Sequence, residues 1–271
     1  MDLGLKNAAV VVTGATAGMG RATAECYAHE GARVAVLARS QRAVDETAAA
    51  LLAAGSPDAI GIATDLTRAD TVATAFQRLD SRWGELNVLV NTVGPAADIV
   101  GEFDELDDQK WCEAFDLMVM GVVRSCRAAL PLLCKAHWAR IVNISAHSVQ
   151  RQSPRLIAYT AGKAALTSLT KNLSQTLAGK GILVNTVSPG SFLTAQVRDY
   201  VEADMVLRGL NPQDPVDVAM VLQERFGDAL GQLGRAGLPH EIAPMITMLG
   251  SQRNTYTTGA DLNVDGGSDF R

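Results

Sequence analysis

Residues 8–20 read AAVVVTGATAGMG, an apolar run followed by a turn that contains three glycines. The run Ala8–Val12 predicts a buried β-strand, and a helical pattern follows the last glycine. In such a strand–turn–helix unit, Gly14 permits a tight turn, Gly18 lets backbone amides approach a phosphate, and Gly20 lets the helix pack closely on the strand. Because the positive end of the helix faces the turn, the stretch predicts a binding site for the pyrophosphate of a dinucleotide.

The rest of the chain repeats this alternation of strand and helix. Further apolar runs, separated by longer segments of helical period, lie at Arg33–Ala38, Ala59–Ala63, Leu86–Asn91, Arg140–Ser145 and Leu183–Ser188. The runs are continuously apolar instead of alternating, which is typical of strands covered by helices on both faces. We therefore predict a single α/β domain over residues 1–271, in which a doubly wound parallel sheet of the Rossmann type lies between two layers of helices.

One segment departs from this rhythm. Residues 195–233 follow the turn at Pro189 and Gly190, mix charged with apolar side chains, and are divided by Pro212 and Pro215. Long connections in compact domains are usually functional, and ligands of open α/β sheets bind outside the carboxyl ends of the strands. We predict one or two helices here that form a substrate-binding lid. A mainly apolar substrate is suggested by its apolar residues, which are Phe192, Leu193, Met205, Val206, Leu207 and Leu210.

Composition narrows the class of partner. The net charge of −5 and the absence of a basic run give no electrostatic footprint for nucleic acid or an anionic membrane. The N-terminus lacks a signal-peptide pattern, and charged residues interrupt the apolar run 114–134. The four cysteines form no C-x-x-C pair, which suits free thiols in a reducing compartment. We expect a cytoplasmic protein with a small-molecule partner, no membrane association and no metal site.

Several motifs occur in a fixed order after the glycine turn. They are Asp65-Leu66, Asn91-Thr92-Val93-Gly94, Tyr159-Thr160-Ala161-Gly162-Lys163, Ser188-Pro189-Gly190 and Val264-Asp265-Gly266-Gly267. In this order and spacing, the set resembles the short-chain dehydrogenase/reductase family over nearly the whole chain. The resemblance implies a nicotinamide dinucleotide cofactor and redox chemistry on a carbonyl or alcohol group.

The residues after the second strand bear on which cofactor fits. An acidic side chain there would accept hydrogen bonds from a free ribose 2′-hydroxyl, whereas a 2′-phosphate needs a cation. This sequence has Ala38 where NAD-binding relatives place aspartate, followed by Arg39 and Ser40. A guanidinium can make a bidentate contact with the phosphate, and the serine can add a donor. NADP(H) is therefore preferred over NAD(H).

The resemblance also implies the other cofactor contacts. They are Thr16 and Met19 in the glycine turn, Asp65 and Leu66 at the adenine, Asn91 and Gly94 at the ribose, and Pro189, Gly190, Phe192 and Thr194 at the nicotinamide carboxamide or the phosphates.

Tyr159 and Lys163 are the candidates for proton transfer. They are four residues apart in a predicted helix, Leu156 to Leu177, so both side chains project from one face. A nearby ammonium is expected to lower the phenol pKa, so that Tyr159 can exchange a proton with a substrate oxygen near neutral pH. Lys163 can also hold the nicotinamide ribose hydroxyls.

Two positions depart from the family pattern. The family's carbonyl-polarising serine falls on Ala146, and its proton-relay asparagine falls on Met118. An oxyanion-type donor is typically worth about 2.7–4 kcal/mol of transition-state stabilisation, so an unreplaced loss would leave a poor enzyme. We predict Ser148 as the substitute donor, because an extended chain returns it to the side of Ala146. Ser145 and then His147 are the alternatives.

The sequence therefore predicts an NADP(H)-dependent oxidoreductase that interconverts a carbonyl and a secondary alcohol, with Tyr159 as general acid or base. Ala146 and Met118 leave open a feebly catalytic or silent dinucleotide-binding protein, and cofactor use for epimerisation is a further alternative. The resemblance implies a homo-oligomer, either a tetramer or a dimer. Its interfaces would lie at Asp108 to Cys134, Leu156 to Leu177, and Pro239 to Gly250 with the final strand.

Overall fold

The computed structural model describes residues 1–94, 99–226 and 231–268, without the side chain of Phe226. Within these ranges, a seven-stranded sheet has the order β3-β2-β1-β4-β5-β6-β7, and each neighbouring pair is parallel. The strands are β1 (Ala9–Thr13), β2 (Arg33–Ala38), β3 (Ala59–Ala63), β4 (Val88–Asn91), β5 (Ala139–Ile144), β6 (Ile182–Pro189) and β7 (Asp261–Val264). The strand order reverses between β1 and β4, which is the point where such sheets bind nucleotides.

Helices cover both faces of the sheet. They are α1 (Gly18–His29), α2 (Gln41–Ala53), α3 (Ala69–Trp83), α4 (Asp108–Phe115), α5 (Gly121–Leu133), α6 (Ile157–Leu177), α7 (Ala195–Leu207), α8 (Pro215–Phe226) and α9 (Pro239–Leu249). The first face packs side chains of α1, α2 and α9 onto the sheet, and the second packs α3, α5 and α6. This confirms the predicted α/β class and the doubly wound parallel sheet.

The predicted strands are found within a few residues of their predicted bounds. β4 begins at Val88 and not at Leu86, and β6 extends to Pro189. The segment Asp108 to Cys134, predicted to lie at an interface, contains α4 and α5 with one π-helical turn, Asp116–Met120, between them. A π-helical turn inserts an extra residue per turn and is common near functional sites, and it leaves no signal in hydrophobic periodicity.

The predicted lid forms two helices with a small core of their own. Buried side chains of α7 and α8, among them Val201, Met205, Val218 and Leu222, pack together. Of the predicted segment 195–233, residues 227–230 lie outside the described residues. None of the helices in the described ranges has the length and apolarity that a membrane crossing requires.

Candidate active site

The glycine turn has the shape that a phosphate cradle requires. Gly14 and Gly18 have φ values of +65° and +54°, which side-chain-bearing residues rarely adopt. A methyl group on Gly20 would lie 2.5 Å from the Gly14 carbonyl oxygen and would overlap the Thr92 hydroxyl. The N-cap of α1 is Ala17, whose side chain cannot accept hydrogen bonds, and the first turn carries no carboxylate. The first amides of α1 are therefore available to an anionic group.

Thr92 joins the glycine turn to the neighbouring strand, a role that the sequence did not reveal. It follows β4, and its Oγ1 donates a hydrogen bond to the Thr13 carbonyl oxygen at the end of β1. Its own carbonyl oxygen lies 2.7 Å from where a Gly14 methyl group would be. Both contacts depend on two parallel strands ending side by side, so only the strand order could have indicated them. Thr16 and Met19, in the same turn, are half-buried.

The end of β2 presents the residues predicted at the ribose. Arg39 and Ser40 are exposed, and Ser40 is the N-cap of α2, with its Oγ accepting from the Ala43 amide at 3.3 Å. The hydroxyl proton of Ser40 is still available for donation. Burial acts to raise the pKa of Asp65, but hydrogen bonds from Thr67 and the nearby Arg39 hold that pKa below its ordinary value. Arg39 therefore lies close to the residue predicted at the adenine.

The remaining residues predicted at the adenosine side lie along the same edge of the sheet. Leu66 is buried, and its carbonyl oxygen accepts from Arg124 at 3.0 Å. Asn91 is fully buried, and its Nδ2 donates to Asn143 Oδ1 at 2.8 Å, which ties β4 to β5. Asn91 therefore holds two strands together, whereas Gly94 is exposed.

Tyr159 and Lys163 lie where predicted, on one face of α6 at the carboxyl edge of the sheet. Lys163 Nζ donates to the carbonyl oxygens of Val93 at 2.9 Å and Ile144 at 2.7 Å, so it bridges the ends of β4 and β5. It lies 5.8 Å from the centre of the Tyr159 ring. Because Val93 adjoins Thr92, the lysine and the glycine turn are connected through two consecutive residues.

Burial controls the proton affinity of both groups. It raises the pKa of Tyr159 above its ordinary value of 10.0 and lowers the pKa of Lys163 from 10.5 to about 7. The expectation that the ammonium lowers the phenol pKa is therefore wrong for this structure, since desolvation is the cause of the shift. A phenol that keeps its proton at neutral pH can act as a proton donor.

At the family's serine position, the structure places a methyl group at the end of β5. Ala146 is 3 % exposed and has extended backbone, with φ −159° and ψ 146°. The preceding Ser145 is also buried, and its Oγ lies 3.1 Å from the Lys163 carbonyl oxygen and 2.7 Å from Thr167 Oγ1. Its hydroxyl therefore contacts α6 and is already engaged there.

The other two candidates form a single 3-10 turn with Val149. Ser148 is buried, and its Oγ accepts a hydrogen bond from Thr160 Oγ1 at 3.1 Å, which leaves the Ser148 proton available. His147 is half-buried, and its Nδ1 lies 3.1 Å from the Pro189 carbonyl oxygen. The imidazole therefore contacts the turn that follows β6, and its Nε2 atom is not part of this hydrogen bond.

Met118 is a packing residue. It is fully buried in the π-helical turn and packs with Leu106, Ala158 and the ring of Tyr159. Its Cε lies 2.8 Å from where a methyl group on Gly162 would be, so it fits closely against α6. Met118 thus fills the space next to the proton-transfer pair with an apolar side chain.

The turn after β6 carries the last predicted contacts. Gly190 donates to the Val264 carbonyl oxygen at 3.0 Å. Phe192 is a core residue 7 % exposed, with its ring on Gly237. Thr194 is the N-cap of α7, and its Oγ1 accepts from the Val197 amide at 3.2 Å. Thr194 lies beside Gly18: a methyl group added to Gly18 would be 3.2 Å from Thr194 Cγ2.

The apolar side chains of the predicted lid are divided between a buried core and the exposed surface. Leu193 and Met205 are buried in the α7–α8 core. Val206 and Leu207 are 63 % and 88 % exposed. These residues therefore do not support the expectation of an apolar substrate. Within the described ranges, no three histidine, cysteine or acidic side chains form a group that could hold a metal ion.

Comparison with known proteins gives matches over almost the entire chain. The family model described as short chain dehydrogenase matches residues 8–204. An uncharacterized oxidoreductase of Bacillus subtilis is 32 % identical over 98 % of this chain and 98 % of its own length. The cis-4-hydroxycyclohexanecarboxylate dehydrogenase of Sinomonas cyclohexanicum is 34 % identical over 95 % of this chain and 94 % of its own. The crystal structure of L-sorbose reductase from Gluconobacter frateurii, complexed with NADPH and L-sorbose, has a TM-score of 0.89 at 27 % identity and covers 99 % of this chain and 98 % of that one.

Proposed function

The chain belongs to the short-chain dehydrogenase family of oxidoreductases, and from this premise we propose that it is an NADP(H)-dependent enzyme that interconverts a carbonyl and a secondary alcohol. The observation that carries the proposal is that the glycine cradle and the Tyr159–Lys163 pair meet at one edge of the sheet, linked through Thr92 and Val93. In this proposal, phosphate groups bind at the cradle and the reacting carbon lies near the pair.

The residues fit a dinucleotide at this edge. The close approach of Gly14 and Gly20 to Thr92 leaves no room for a side chain at either glycine, so the backbone of the turn can approach a phosphate. The uncapped amides of α1 supply donors. The bound cofactor would supply the hydride to the carbonyl carbon, or accept it from the alcohol.

NADP(H) is the proposed form of the cofactor. Arg39 and Ser40 stand exposed at the N-terminus of α2, where a guanidinium and a hydroxyl can both donate to a 2′-phosphate. The L-sorbose reductase, a structural relative, was crystallised with NADPH. Substituting Arg39 by alanine should weaken binding of NADPH while leaving that of NADH unchanged, as measured by fluorescence titration.

Tyr159 is proposed to donate its proton to the substrate oxygen in reduction and to take it back in oxidation. Its raised pKa keeps the phenol protonated at neutral pH, which is the state that donates a proton in reduction. Lys163 uses two N–H groups on Val93 and Ile144 and so holds its ammonium at a fixed place beside the ring. The third N–H, which Lys163 carries while it is protonated, is the one proposed to meet the ribose hydroxyls.

The test is NADPH consumption with a panel of ketones that includes sugar-like and apolar members, for wild type and Tyr159→Phe. The variant should lose about 10²–10⁴ in kcat, the usual contribution of a general acid, while its affinity for NADPH is retained. Equal rates would refute the proposed role of Tyr159. Tight NADPH binding with no turnover would favour the silent dinucleotide-binding protein, and inversion of a carbinol centre without net consumption would favour epimerisation.

Ser148 is proposed as the donor that replaces the missing serine. Its hydroxyl accepts from Thr160 and keeps a proton to give, and the loss of such a donor in Ser148→Ala should lower kcat about 10²-fold or more. His147→Ala is the matched comparison, since the imidazole lies in the same turn and is less buried. If His147→Ala carries the loss and Ser148→Ala does not, the donor is the imidazole.

We further propose a cytoplasmic homo-oligomer, either a tetramer or a dimer. Met120 and Met245 each expose 40 % of their surface on the helical regions predicted to form interfaces. The free thiols of Cys26, Cys112 and Cys134 fit a reducing compartment. Light scattering coupled to gel filtration would give the oligomeric state.

A further inference from the structure

We propose that Arg198 of α7 binds the pyrophosphate of the cofactor, so that the lid contributes a charged contact to the dinucleotide site. This inference rests on the proposed function, because it requires a dinucleotide at the glycine turn. It concerns a residue that sequence reasoning gave no role.

Arg198 lies next to the glycine turn in space. A groove of about 450 Å³ is lined by Gly18, Thr194 and Arg198, with Gln213 and His240 on its other walls. Thr194 touches Gly18, and the Arg198 amide donates to the Thr194 carbonyl oxygen at 2.9 Å. Arg198 is therefore one helical turn from the residue that contacts the cradle, and its side chain faces the groove that opens there.

Among the described residues, Arg198 has no ion pair of the kind that neighbouring arginines make. Its Nε is buried, and among the described residues it meets no hydrogen-bond acceptor. By contrast, Arg208 pairs with Glu224 at 2.8 Å and Arg235 with Glu241 at 2.6 Å. A buried donor without an acceptor is unfavourable, and an anion in the groove would satisfy it.

The charges around the groove favour an anion. The acidic side chain in the lining, Glu25, is already paired with Arg21 at 2.6 Å. The positive ends of α1 and α7 meet at this place, and neither helix has an acidic residue in its first turn. Among cofactor groups, the pyrophosphate is the anion predicted at Gly18, so it is the group that Arg198 is placed to reach.

The experiment measures dissociation constants of NADPH and NADH by fluorescence titration for wild type and Arg198→Met. Both nucleotides carry the pyrophosphate, so both constants should rise by the same factor, about tenfold, as expected for loss of one charge-assisted hydrogen bond. The dependence of binding on salt should also weaken. The melting temperature of the protein without nucleotide should not fall, because the buried Arg198 Nε has no hydrogen-bond acceptor among the described residues to lose.

Two matched variants separate the alternatives. Arg78→Met removes an exposed charge from α3 and should leave both constants unchanged. Arg39→Ala should affect NADPH alone, which distinguishes the 2′-phosphate contact from the pyrophosphate contact.

Unchanged binding of both nucleotides by Arg198→Met would overturn the inference and leave the proposed function intact. A rise confined to NADPH, or one seen only in the KM of an anionic substrate, would overturn it as well, because the arginine would then bind another anion. If wild type bound neither nucleotide, the proposed function itself would fail.

Discussion

Substitution of Gly20 by alanine is the most direct perturbation of the glycine turn. The added methyl group would lie 2.5 Å from the Gly14 carbonyl oxygen and would overlap Thr92 Oγ1. Neither atom can move away freely, because Thr92 Oγ1 is bonded to Thr13 and the Gly14 amide donates to Leu37 at 2.8 Å. Overpacking costs about 1–3 kcal/mol, and alanine returns about 1 kcal/mol through its higher helix propensity. The upper end applies to contacts this short, so we expect a loss of about 2 kcal/mol in the free energy of unfolding.

The same displacement should move the first amides of α1, so the dissociation constant of NADPH should rise at least about tenfold. Urea unfolding and fluorescence titration measure the two effects. Gly84→Ala is the control for strain alone, since Gly84 has φ +74° and an added methyl group would meet no described atom within 4 Å. It should cost about 1 kcal/mol and leave NADPH binding unchanged. Gly179→Ala has neither problem and should be nearly neutral. If Gly20→Ala were as stable as Gly179→Ala and bound NADPH like wild type, the packing argument would be refuted.

Two further predictions concern buried polar groups. The pKa of Lys163 is about 7 in the folded protein and 10.5 in its ordinary state, so between these pH values the unfolded chain binds more protons than the folded one. The free energy of unfolding should therefore rise with pH in this range. Lys163→Met should flatten that rise when urea unfolding is compared at pH values of about 7, 7.5 and 8. Asn143→Ala should lower the free energy of unfolding by about 2–4 kcal/mol. The side-chain amide of Asn143 now bonds to Asn91 Nδ2 at 2.8 Å and to Thr170 Oγ1 at 2.9 Å, and the substitution would leave both buried groups without this partner. The exposed Asn172→Ala should change the unfolding free energy by less than about 0.5 kcal/mol, and an equal loss in both would contradict the account.

The fold could be predicted because the sequence of each strand is enough to identify it as a buried strand. β1 and β2 consist mainly of valine, leucine and alanine, and their central residues are buried, as expected for a parallel sheet covered by helices on both faces. The glycine spacing then places the phosphate turn at the end of β1. Tyr159 and Lys163 lie on one face of α6 because residues four apart in a helix project from the same side. The strands, the phosphate turn and this pair could therefore be predicted without knowing any contact between distant segments.

The rest of the site depends on contacts between segments far apart in sequence. Thr92 meets the glycine turn only because β4 lies beside β1. The pKa of Tyr159 is set by burial, which the spacing to Lys163 does not reveal. Ser145 turned out to bond to α6, and Arg198 reaches Gly18 through Thr194, neither of which a local pattern encodes.

Met118, which stands where the family pattern has asparagine, is packed closely against the other residues of the site. The π-helical turn is present, and the methionine within it fills the space against Gly162 in an apolar cluster with Leu106 and Ala158. An asparagine at this position would place an amide in that cluster, where burial of an unpaired polar group costs about 1–3 kcal/mol. A single reversion at position 118 would therefore destabilise the cluster before it could rebuild a proton relay.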